Sequence, residues 1–83
     1  MAESNYVWTV TWDRDLDGNT ASKEYSRRPS AMNAARRRSI DWDYSSAVTV
    51  EMFAVNRDGS RRSMGEAIYL GGEIETTTGY MKR

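Results

Sequence analysis

Asp13, Asp15, Asp17 and Glu24 stand in the stretch DRDLDGNTASKE. Its outer positions fit D-x-D-x-D-G-x₅-E, the spacing of an EF-hand calcium loop. Calcium takes six to eight oxygens around one point. The three aspartates and Glu24 could supply carboxylates, Asn19 a backbone carbonyl, and Gly18 the sharp bend. The surroundings point elsewhere. An EF-hand loop lies between two helices, whereas this stretch lies between two strand-like patterns. The eighth position, normally aliphatic, is Thr20, and the ninth, normally an oxygen ligand, is Ala21. With residues 20–24 extended, Glu24 recedes from Asp13 at about 3.3 Å per residue. A hairpin tip accounts for the stretch better, because Asp and Gly favour tight turns for backbone reasons alone. No metal is favoured.

Catalysis has few candidates. The chain has neither Cys nor His, which removes disulfides, thiolate metal sites and the commonest general base near neutral pH. Asp41-x-Asp43 and Asp13-x-Asp15, with Glu51 on a strand, are carboxylates of the kind that bind Mg²⁺ in nucleases. Their spacing matches no known mechanism, and solvated turn acids explain them. There is no phosphate loop and no dinucleotide fingerprint. The expectation is a protein that is not an enzyme and has no cofactor.

Cations offer a second kind of site. Twelve basic residues balance twelve acidic ones, and ten of the twelve are arginine, whose rigid fork suits carboxylate or phosphate. Arg27, Arg28, Arg36, Arg37 and Arg38 surround one segment; Arg57, Arg61 and Arg62 surround another. If those surfaces adjoin, they form an electrostatic footprint for nucleic acid, on which Trp8, Trp12 and Tyr25 could stack bases if exposed. Zero net charge and interleaved acid weigh against this. An Arg excess also follows from a GC-rich genome, and basic residues in the last turns of a helix are explained by its dipole.

The elements that must position these residues are legible by period. In Tyr6–Trp12, Tyr6, Trp8, Val10 and Trp12 share one face and Val7, Thr9 and Thr11 the other, which predicts a strand. Asp-Gly marks a turn, and Thr20–Arg27 reads as a polar edge strand. A helix follows, with Pro29 in its first turn and Ser30 as a cap. Met32, Ala35, Ser39 and Ile40 form its stripe, widened by Ala31 and Ala34. Ser46–Val55 is the strongest strand: Val48, Val50, Met52 and Ala54 face one way, Thr49, Glu51, Phe53 and Val55 the other. NRDG is a second hairpin turn, Ser63–Leu70 another strand, and Glu73–Tyr80 a candidate fifth.

The expected fold is a single α+β domain over residues 1–83. It has an antiparallel sheet of four strands, or five, with one helix on one face. The order is ββαββ(β), as in β-grasp domains, where the two hairpins join through their first and last strands. Residues 1–4 and 81–83 are expected to fray. A domain of this size buries only roughly 60–65% of its unfolded surface, so self-association or a partner would add stability. With the helix over Trp8, Val50 and Ile68, the opposite face would carry Val7, Phe53, Val55 and Tyr69, an interface patch with aromatics at its middle. The function expected is protein binding, homodimerisation included, with nucleic-acid binding through the arginines as the alternative. The N-terminus lacks the pattern of a signal peptide, and no apolar run reaches the ~18 residues of a membrane span. A cytoplasmic protein without membrane contact is expected.

The short chain, ARRR at Ala35–Arg38, DGSRR at Asp58–Arg62 and the lack of Cys and His resemble the style of small accessory proteins of bacteriophages of high-GC hosts. That resemblance implies host takeover, inhibition of a host or defence protein, or a minor virion role, carried out by occupying a macromolecule's surface.

Overall fold

β1 (Asn5–Asp13) and β2 (Thr20–Tyr25) form the first hairpin. A helix, α1 (Arg28–Ile40), leads to β3 (Val48–Val55), β4 (Arg61–Leu70) and β5 (Glu73–Thr77), and a 3₁₀ turn follows at Gly79–Met81. The computed structural model describes residues 5–13, 18–40 and 47–82. Asp15, Asp17, Asp41 and Asp43 lie outside the described residues, as do 1–4 and Arg83. The domain is α+β, one five-stranded antiparallel sheet with a single helix. Its strand order is β2-β1-β3-β4-β5.

The element order is the expected one, and only the strand pairing departs from that of β-grasp domains. β1 joins the first strand after the helix, not the last: Val7 pairs with Phe53 and Val10 with Val50. Thirteen helical residues span about 20 Å, which returns the chain to the end of the sheet where β1 finishes. β3 therefore enters antiparallel to β1 and takes its open edge. It suits a central place because one face, Val48, Val50, Met52 and Ala54, is wholly apolar and the other carries Phe53 and Val55. β4 and β5 follow through tight turns as a meander. In the first of these turns Asn56 N–H bonds to the Ser60 carbonyl at 2.8 Å and Gly59 N–H to the Asn56 carbonyl at 3.0 Å, with Gly59 at φ +86°.

The core lies between helix and sheet in transverse rows. Val10, Val50 and Ala67, adjacent across three strands, are fully buried. Above them the helix presents Ala31 and Ala35, also fully buried, and such small side chains allow close approach. Tyr25, Trp8, Met52 and Gly65 form the next row. Val48, Tyr69 and Ile74 form the row toward the helix C-terminus, beside Trp12. Trp8 and Trp12 thus pack against the core as partly buried residues. The helix opens at Arg28, with Ala31 N–H bonding to the Arg27 carbonyl at 3.2 Å, so Ser30 lies inside the first turn and is not the cap. Ile40, expected in the apolar stripe, is 54% exposed. Ser39 takes the buried place instead: its hydroxyl donates to the Arg36 carbonyl at 2.8 Å and accepts from Gly72 N–H at 2.9 Å. This ties the helix C-terminus to the β4–β5 turn.

The expectation that residues 81–83 fray fails at Met81, whose side chain is 0% exposed and belongs to the core. Two glycines make this possible. Met64 is an extra residue in β4, since Met52 pairs with Gly65 but Phe53 with Ser63, and such a bulge bends the strand. Gly65, at φ +149°, lies against the 3₁₀ turn so closely that an added Cβ would collide with the Thr78 carbonyl and sit 2.8 Å from Tyr80 N. Gly79, at φ +54°, leaves no more room against the Met64 carbonyl. Thr78 N–H bonds to the Glu66 carbonyl at 2.8 Å, and Glu66 N–H to the Thr78 hydroxyl at 3.1 Å. The 3₁₀ turn packs against β4 here and sets Met81 into the core.

Candidate functional site

The sheet face away from the helix carries no covering element among the described residues. Its composition follows from the ladder registers. Val7 and Phe53 are opposite one another, flanked by Ser63; Val55 lies between Asn5 and Arg61. Glu24, Thr9, Glu51 and Glu66 form one continuous row across four strands. Ser22, Thr11, Thr49, Ile68 and Thr76 form the next. Val7, Phe53 and Val55 are half-buried.

Tyr69 is not part of this face. It pairs with Val48 on the helix side and is 6% exposed, so its expected place in an interface patch is corrected, and Ile68 takes that place. Strand β4 is apolar at both parities, and Ile68 is the residue expected inward. The helix instead lies so close that Ala67 fits beneath it, and Tyr69 follows Ala67 to the same side.

Arg61 and Glu24 are the main electrostatic feature of the open face. Arg61 Nη1 contacts Glu24 Oε2 at 2.7 Å, and Nη2 contacts Oε1 at 3.1 Å. The hydrogen bond from Arg61, with its charge, holds the Glu24 carboxyl below the usual carboxylate range, and Glu24 raises Arg61 in turn. Glu51 and Glu66 face one another directly, an unfavourable like-charge pairing. Ser63 relieves one partner by donating its hydroxyl to Glu51 at 2.7 Å. In the β3–β4 turn, the hydroxyl and the backbone N–H of Ser60 both donate to Asp58, lowering its pKa.

The helix side holds most of the arginines. Arg38 lies over the Trp12 ring, 3.6 Å from its centroid, and Arg36 donates through Nε to the Gly72 carbonyl at 3.3 Å. Lys23 lies 5.4 Å from the Tyr25 ring centroid. Arg62 pairs with Ala54 on this side. Arg27 and Arg28 stand at the start of the helix and Arg36–Arg38 at its other end, while Arg57 is in the β3–β4 turn. The expected single arginine footprint is thus split between opposite ends of the helix, and Arg61 is committed to Glu24 on the other face. An open cleft of about 570 Å³ lies at the helix C-terminus, lined by Arg36, Tyr69, Gly72, Glu73 and Ile74.

Face by face, the charges are sorted. Among the described residues, the registers place Asp13, Glu24, Glu51, Glu66 and Glu73 on the open face, against Arg61 alone. The helix side carries Lys23, Arg28, Arg36, Arg37, Arg38 and Arg62, and no carboxylate is placed there by helix or ladder among the described residues. The blocks of charge along the chain did not reveal this; the parity of each acid within its strand does.

The calcium spacing does not close among the described residues. Asp13 pairs with Thr20 and Glu24 with Thr9, which puts them about 13 Å apart along the strands, and Glu24 is held by Arg61. No group of three or more acids that could hold a metal is present among the described residues. No described helix is long and apolar enough to cross a membrane. No protein-family model, no curated protein and no solved structure matches the chain.

Proposed function

We propose that the chain is a non-enzymatic protein-binding module whose open sheet face docks a basic partner surface with an apolar centre. One observation carries this reading: Glu24, Glu51 and Glu66 form the row beside the half-buried Val7 and Phe53, with Asp13 and Glu73 farther along the same face, which no described element covers. Charge complementarity would steer the encounter and fix the register, and the apolar centre would supply affinity. A cytoplasmic, phage-encoded inhibitor of a host or defence protein fits this mode of action. The test is affinity capture from the native cell with wild-type protein, with Phe53→Ala and with Glu66→Lys, each first checked by thermal melting. Loss of one defined partner with both folded variants supports the reading; a partner retained by both overturns it.

A second reading is favoured by the helix side, where helix and ladders place no carboxylate among the described residues. Lys23, Arg28, Arg37 and Arg62 there could contact nucleic-acid phosphates. Oligonucleotide affinity would then fall steeply with salt and weaken in Arg37→Glu with Arg62→Glu. Absence of binding at low salt rejects it.

A further inference from the structure

We infer that the two faces complement each other, so that the partner of the open face is a second copy of this chain, docked by its helix side. This rests on the proposed role of the open face and names its occupant. The chain has zero net charge, yet its placed charges lie on opposite sides of one two-layer domain. Five carboxylates with one guanidinium stand on the sheet face, and six cations stand on the helix side. A partner bearing a basic face is required by the first surface and an acidic one by the second. A second copy supplies both, and a chain without net charge has no long-range repulsion to oppose the approach.

The geometry also fixes the kind of assembly. The two surfaces are different patches on opposite sides of the domain, so the contact is heterologous. Each docked copy leaves one acidic and one basic face exposed at the two ends, and the stack grows without closing. Phe53, Val7 and Ile68 lie on the sheet side of each junction, and the arginine stems of α1 lie on the other, where their methylenes can cover apolar surface. The arginines engaged within the chain keep their charge: Arg36 bonds to a backbone carbonyl and Arg38 lies on an indole.

The experiment is sedimentation velocity over a concentration series, at about 20 mM and about 300 mM salt, which bracket a large change in screening length. At low salt the average mass should rise with concentration above that of the 9.5 kDa chain and fall back toward it at high salt. Glu66→Lys with Glu73→Lys, and separately Arg37→Glu with Arg62→Glu, should each remain monomeric at low salt. An equimolar mixture of the two should associate again, because each variant then offers what the other lacks. Wild-type protein that stays monomeric at low salt overturns the inference. So does a dimer that stops growing, or a mixture that does not associate. These results leave the open-face reading standing if a different protein is captured and lost with Phe53→Ala and Glu66→Lys; that reading falls only in the capture experiment. Melting curves of the four-residue set singly, Glu66→Lys and Arg37→Glu included, identify folded forms for the mixing test.

Discussion

Arg61 on β4 and Glu24 on β2 grip one another at two points although β1 and β3 lie between them. In a flat sheet the two positions would be separated by about 14 Å across the strands and about 13 Å along them. The contact is possible because the sheet twists, bringing opposite corners of its open face together. The line joining them crosses β3 at Phe53 and β1 at Val7, the row between their own. The ion pair spans the apolar centre of that face.

Replacing Arg61 by Ala should expose that centre. Binding of a hydrophobic dye at neutral pH is expected to rise, with little change in melting temperature, since the two side chains are 41% and 48% exposed and surface pairs contribute little. Unchanged dye binding would show that the pair shields nothing.

Acid titration checks the same contact by its sign. Glu24 is held below its ordinary pKa, so its contribution to stability is present above the unfolded value and disappears as pH falls through the folded one. Between about pH 5 and about pH 2, the wild-type melting temperature should fall more steeply than that of Arg61→Ala. Asp58, shifted the same way by Ser60, keeps its contribution in both proteins.

The Gly65–Gly79 crossing should tolerate no side chain. Gly65→Ala is expected to cost about 2–3 kcal/mol, because backbone must move and Met81 with it. Gly59→Ala, with nothing within 4 Å of the added carbon, should cost only the left-handed backbone penalty, about 1–2 kcal/mol. Met81→Ala should cost about 2–5 kcal/mol through the cavity it leaves. Denaturant melts rank the three, and a Met81→Ala protein as stable as wild type would place that side chain outside the core.

Ser39→Ala should loosen the end of the helix. It leaves Gly72 N–H without its acceptor, a loss of about 1–3 kcal/mol. Hydrogen exchange should quicken at Gly72 and in the last helical turn, while the β1–β3 ladder stays protected.

Much of the scaffold was legible by period. The alternation in Tyr6–Trp12 and in Val48–Val55 gave both strands and their faces, and Asp-Gly gave the β3–β4 turn. What failed has physical causes. Strand β4 carries apolar residues at both parities, so Ile68 and Tyr69 could be assigned only once Val48 had been paired. Met81 follows Thr-Thr-Thr-Gly-Tyr and has no periodic partner; the signal for its burial is the pair of glycines at 65 and 79, which meet only in three dimensions. The acidic face was readable, since Asp13, Glu51 and Glu66 share a parity with Val7, Phe53 and Ile68 along their strands, but that requires counting acids as carefully as apolar residues.

The β1–β3 ladder has a kinetic consequence. Every other strand pairing joins strands adjacent in sequence, whereas this one brings Thr11 to Thr49 and Asn5 to Val55. Two halves, hairpin with helix and three-stranded meander, meet along that ladder and beneath the helix. Closing about forty to fifty residues costs more loop entropy than closing a hairpin and is expected to slow folding. Changes that favour either half alone should speed its formation but leave the rate of the final docking almost untouched.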